Sequence, residues 1–121
     1  MVKTPNSKVY DLEDRTFEFS KNIRVLTKKV PRTLENFEDI KQLIRSSGSV
    51  GANYIEANEC ISKKDFSLRI KICRKEAKES KYWLSLLDTR ENKQLEVEIQ
   101  KLVKESIELM MIFSSIMRKV G

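Results

Sequence analysis

The sequence predicts an all-α protein folded as an up-down-up-down antiparallel four-helix bundle. Three observations lead there. Breakers are scarce, with three glycines and two prolines in 121 residues. Lys, Glu, Leu and Ile are abundant and aromatics few, a composition that favours helix over sheet. Apolar and small residues recur in alternating steps of four and three along two long segments, as helices packed against helices require.

The first helix is expected from Asp11 to Val30, with Leu12, Phe19, Ile23, Leu26 and Val30 at helical spacing. Asp11 is a candidate cap, Lys28 and Lys29 suit the carbonyl end of the dipole, and Pro31 stops the helix. The second begins at Thr33 and carries Leu34, Phe37, Ile40 and Ile44 on one side. The third opens on "SKKD", with Ser62 as cap and Asp65 three residues on. Its seam is Phe66, Ile70, Cys73, Ala77, Ser80, Leu84 and Leu87. The fourth starts near Asn92, with the seam Leu95, Ile99, Leu102, Ser106, Leu109, Phe113, Ile116 and Val120. At 1.5 Å per residue these helices run about 30 to 42 Å. Short links make sequential helices antiparallel neighbours. Residues 1–10 are expected to be a flexible N-terminal arm, and 11–121 a single domain.

One stretch of the second helix is unusual. "RSSGSVGANYIEANE", from Arg45 to Glu59, packs two glycines and three serines into a few residues. It matches no phosphate-binding glycine loop and follows no strand. Ile44, Val50, Ile55 and Ile61 continue around it, as if the chain stays buried. A continuous helix accounts for both facts. Each glycine inside a helix costs roughly 1 kcal/mol against alanine, and close approach of a neighbouring helix offsets it. The competing reading is a break or kink at Gly48 or Gly51.

The net charge is +6 and the isoelectric point about 9.4, which raises an anionic partner without requiring one. There is no histidine, so the usual general base and metal ligand are missing. Cys60 and Cys73 fit no metal spacing. The serines lack a candidate base. Glu56, Glu59 and Asn53 form a polar cluster better suited to hydrogen bonds or ion pairs with an adjacent helix than to a metal. Cys73, on the seam, reads as a small core residue, and Cys60, near a helix end, as accessible. No enzyme, cofactor or metal is expected. No apolar run is long enough to span a bilayer, and "MVKTPNSK" has no signal-peptide core, so a cytoplasmic location is expected.

The charge is unevenly placed. Residues 1–30 are net +3, 31–61 net −2, 62–90 net +5, and 91–121 neutral. On a helical wheel Lys63, Lys64, Lys71, Arg74, Lys75, Lys78 and Lys81 fall within about 60° to 180° of the third helix's seam. That flank carries no acid. It reads either as a phosphate-facing stripe or as a solvated face. Tyr82 is the one aromatic near it, so binding would be directed at the nucleic-acid backbone. Ile72, Trp83 and Leu86 lie on the opposite flank, and Val103, Ile107 and Met110 widen the apolar face of the fourth helix. Second stripes of this kind predict an oligomer interface; the competing reading is a wide intramolecular core.

"RSSGSVGANYIEAN", followed by "SKKDF" and "CRKEAKESKYWLSLL", resembles the four-helix-bundle family of 23S rRNA intervening-sequence proteins. The family segment R-S-x-x-S-[IV]-x-x-N-x-x-E matches Arg45, Ser46, Ser49, Val50, Asn53 and Glu56. Its commoner form closes N-I-A-E-G, where this chain has Asn53-Tyr54-Ile55-Glu56-Ala57. The chain is also similar to the accessory bundle protein of diversity-generating retroelements. The resemblance implies a small bacterial bundle, often a homopentamer, with no established enzyme activity, and a link to nucleic acid. Two functions follow as expectations: a homo-oligomeric bundle binding RNA or DNA through the basic flank, or a protein–protein interaction scaffold with no nucleic-acid role.

Overall fold

The computed structural model describes residues 11–120, which form four α-helices. The expected N-terminal arm, residues 1–10, lies outside the described residues. The helices are α1 (Leu12–Thr27), α2 (Leu34–Asn58), α3 (Lys63–Leu86) and α4 (Lys93–Val120). Each packs on its neighbours in cyclic order, α1 on α2, α2 on α3, α3 on α4 and α4 on α1. The two diagonal pairs do not pack. This is the four-helix bundle that the periodicity predicts.

Local signals set the ends. Asp11 accepts a hydrogen bond from the Asp14 amide at 3.1 Å, Thr33 from Asn36, Ser62 from Asp65, and Asn92 from Leu95. These caps satisfy amides that a helix start leaves unpaired. α1 ends at Thr27 rather than Val30. Pro31 pushes the residue before it out of helical geometry, and Val30 is buried from the linker instead. α1 is therefore about 24 Å long at 1.5 Å per residue, shorter than expected.

α2 runs unbroken through Gly48 and Gly51. Its buried row is Asn36, Leu43, Ser46, Ser47, Val50 and Ala57. Leu34 and Phe37, expected inside, are 76% and 54% exposed, and Ile55 and Ile61 are exposed as well. Ile40 and Ile44 are half-buried. The small residues decide this rotation. Gly51 lies against Thr16 of α1, and Ser46 bonds Ser80 of α3 at 2.9 Å. Turning Leu34 and Phe37 inward would lift that narrow face away from both neighbours.

α3 and α4 keep the expected seams. Ile70, Cys73, Ala77, Ser80 and Leu84 are buried on α3, with Leu87 buried just beyond its end. Leu95, Ile99, Ser106, Leu109 and Phe113 are buried on α4. Phe66, Leu102, Ile116 and Val120 are half-buried. Phe19, Ile23 and Leu26 of α1 complete the core.

Two polar devices tie the elements together. Asn36, 1% exposed, donates to the carbonyls of Pro31 and Asp88 and accepts from the Asp88 amide, each at 2.9 Å. It thereby fixes the α1–α2 and α3–α4 links at one end of the bundle. Arg15 of α1 forks onto Glu105 at 2.7 Å and Glu108 at 2.8 Å of α4. The bond to Glu105 holds the guanidinium pKa above its ordinary value against the opposing cost of burial.

Candidate nucleic-acid interface

α3 is anchored through its seam, so the residues opposite that seam point outward. Lys63, Lys64, Lys71, Lys75 and Lys78 are exposed, and Arg74 and Lys81 are half-buried. Among the described residues, none of the seven is paired with a carboxylate. Arg74 approaches Ser114 Oγ on α4 at 3.5 Å, which turns this side of the flank toward α4.

The acids of α3 are engaged elsewhere. Arg45 of α2 reaches Glu79 at 2.9 Å and Glu76 at 3.5 Å. Asp65 stands in the first turn, where the helix dipole favours a carboxylate, and Asp88, in the link beyond α3, accepts a hydrogen bond from the Arg90 amide. The carboxylates facing α2 and the cations facing outward and toward α4 are thus separated by the helix itself.

A groove of about 530 Å³ opens on the basic flank, lined by Leu68, Lys71, Ile72, Arg74, Lys75 and Lys78 of α3 and Met110 of α4. Its floor is aliphatic and its rim cationic. Lysine stems lie favourably on such a floor while their ammonium heads stay in water.

The six apolar residues expected at an oligomer interface sit on α3 and α4 and differ in exposure. Glu76 and Glu79 face α2, and Ile72 and Trp83 lie four residues from them on the same side of α3. Trp83 packs partly on the core and meets Tyr82 edge-on at 5.0 Å, while Leu86 is 48% exposed. Ser114 faces α3, so Val103, Ile107 and Met110, at helical spacing from it, border the α3–α4 side. Val103 and Met110 pack partly on the core, and Ile107 is exposed. Ile72 and Met110 both line the basic groove.

Of the three polar residues singled out on α2, Asn53 has a structural partner on α3. Asn53 accepts from Arg69 of α3 at 2.9 Å and donates to the Ser49 carbonyl. Glu56 and Glu59 are exposed. Cys73 is buried, with its thiol pushed up to about 12 by burial, and Cys60 is half-buried. Arg69 and Leu68 did not stand out in the sequence. Arg69 falls on the acid flank of the wheel, and Leu68 becomes part of a site only when Met110 closes the groove. Among the described residues no group of carboxylates and cysteines is placed to hold a metal, and no helix is long and apolar enough to cross a membrane.

Known proteins match this chain in sequence and in fold. Residues 8–115 match the family described as 23S rRNA-intervening sequence protein. A solved structure from Bacteroides thetaiotaomicron, described as a protein with unknown function from the S23 ribosomal protein family, is 33% identical, with a TM-score of 0.75. The superposition covers 87% of this chain and 96% of that one. No curated protein matches. Neither description carries an enzymatic activity. With residues 8–115 matched, most of the described bundle, the chain belongs to the 23S rRNA-intervening sequence protein family.

Proposed function

We propose that this protein is a non-enzymatic, cytoplasmic, homo-oligomeric bundle that binds the phosphate backbone of RNA or DNA through the basic flank of α3. One observation carries the reading: seven cations share a flank, and none has a carboxylate partner among the described residues. Elsewhere the bundle does pair cations with acids, as at Arg15, Lys29 and Arg45. Lys63 and Lys64 also stand in the first turn of α3, where the helix dipole disfavours positive charge. A polyanion relieves both conditions at once: its phosphates pair with these side chains, and its condensed counterions are released into solution.

The test is the triple variant Lys71→Gln, Lys75→Gln, Lys78→Gln, read by fluorescence anisotropy on unrelated RNA and DNA sequences. All three side chains are exposed, so the fold survives. Affinity falls by a similar factor for every sequence, and its salt dependence flattens. Unchanged binding, or no wild-type binding at low salt, defeats the proposal and leaves a protein–protein scaffold as the function. The resemblance noted in the sequence supports association into a ring of five copies. Repetition of the flank would add avidity.

A further inference from the structure

We infer that the basic flank of α3 takes duplex nucleic acid, RNA or DNA, in preference to single strands. This rests on the reading of that flank as a phosphate-binding surface. Lys64, Lys71, Lys75 and Lys78 lie along the outer side of one helix, spanning about 21 Å at 1.5 Å per residue. That helix is unbroken over 24 residues and fixed to the core by Ile70, Cys73, Ala77, Ser80 and Leu84. The row is held along one continuous helix that the core keeps in place. A duplex offers phosphates that are likewise held in place, at a higher charge density than a single strand, and releases more counterions per phosphate engaged.

A single strand needs something the flank lacks. Its exposed bases are held by stacking on aromatic side chains. Tyr82 is the one aromatic beside the flank; it is exposed and packs roughly perpendicular to Trp83 at 5.0 Å, so it offers a single ring where a strand's successive bases need several. The groove between the cations is floored by Leu68, Ile72 and Met110, which support lysine stems but present no flat face to a base. A duplex brings its bases already stacked and needs only its phosphates neutralised. Ammonium heads bind phosphate whatever the sugar, so duplexes of either kind are ligands for this surface.

Anisotropy titrations of the full-length protein decide the matter, using a labelled RNA duplex of about 20 base pairs, the matching DNA duplex, and an unstructured single strand of the same length, between about 50 and 200 mM salt. Both duplexes are expected to bind about tenfold or more tightly than the single strand at low salt, with the steeper salt slope. The triple glutamine variant loses most of the duplex affinity. Equal or tighter binding of the single strand overturns the duplex preference and leaves the phosphate-binding reading in place. Duplex binding that ignores the triple variant overturns the assignment to this flank. No binding of any probe overturns both readings.

Discussion

A β-carbon at Gly51 would stand 3.0 Å from Thr16 Oγ1 and 3.3 Å from Thr16 Cβ, closer than side-chain carbons pack. The Thr16 hydroxyl donates to the Leu12 carbonyl at 2.7 Å, which leaves it little freedom to withdraw. Gly48 is different: its nearest neighbours, on Arg24 and Ser20, lie 3.8 and 4.0 Å away. The two glycines therefore respond oppositely to substitution. Gly51→Leu destabilises by roughly 1–3 kcal/mol through overpacking. Gly48→Ala stabilises by about 1 kcal/mol through helix propensity. Thermal melts of the two variants check the pair. Thr16→Ala should recover part of the Gly51→Leu loss, and an unchanged melting temperature for Gly51→Leu would remove the close-contact account.

What the sequence made legible follows from the range of the interaction involved. The seams of α3 and α4, from Ile70 to Leu84 and from Leu95 to Phe113, need only local periodicity, and they stand in the structure as expected. The one-sided cations of α3 also follow from a wheel. The rotation of α2 does not. Leu34 and Phe37 look like core by hydrophobicity, but Ser46, Gly51 and their partners Ser80 and Thr16 set the face. Asn36 was invisible for a related reason, since its partner Asp88 is 52 residues away. The groove beside the basic flank depends on the α3–α4 register that brings Arg74 to Ser114, which no single helix encodes.

Arg45 faces a buried carboxylate, and this gives a second prediction. Glu76 is 8% exposed, and its Oε1 makes no hydrogen bond. The guanidinium 3.5 Å away is a charge contact rather than a hydrogen bond. Arg45→Met leaves that carboxylate buried without its cation. Arg45 is about half exposed, so the loss is below that of a fully buried pair, roughly 1–2 kcal/mol. Adding Glu76→Met removes the stranded charge and restores most of the stability. Chemical denaturation of the single and double variants forms the cycle; additive losses would show that Arg45 acts through Glu79 alone.

The two thiols separate by accessibility and by pH. Cys73 is buried, and desolvation pushes its thiol up to about 12 from an ordinary 9.0. A maleimide reagent at neutral pH should modify Cys60 in the native protein and Cys73 only after unfolding. The sign of the pH effect follows from the folded value being the higher one. The associated stability is fully present below about pH 9 and is lost as pH rises towards 12, because the unfolded chain ionises its thiol first. Cys73→Ala therefore loses less stability than the wild type across that window. Parallel losses in the two proteins would show that other groups govern the alkaline limb.

Assembly is the last prediction, and it turns on two apolar side chains at one end of the bundle. Asn36 binds Asp88 and Arg45 binds Glu79, so between these contacts the start of α2 runs antiparallel to the end of α3. Trp83 and Leu86 stand there, near the end of α3, Leu86 48% exposed and Trp83 half-buried. Association of subunits through this face would cover them and leave the basic flank, on the other side of α3, open. A charge placed in such an interface is costly to desolvate. Trp83→Glu should dissociate the oligomer, but Trp83 also packs on its own core. Leu86→Glu is the cleaner variant, because an exposed side chain can change without unfolding the monomer. Light scattering at tens of micromolar should give a multiple of the monomer mass for wild type and the monomer mass for Leu86→Glu, with equal helicity by circular dichroism. Binding to nucleic acid should weaken in the variant as well, since separate subunits lose the avidity of a repeated flank. A monomeric wild type would remove the assembly reading and with it the avidity.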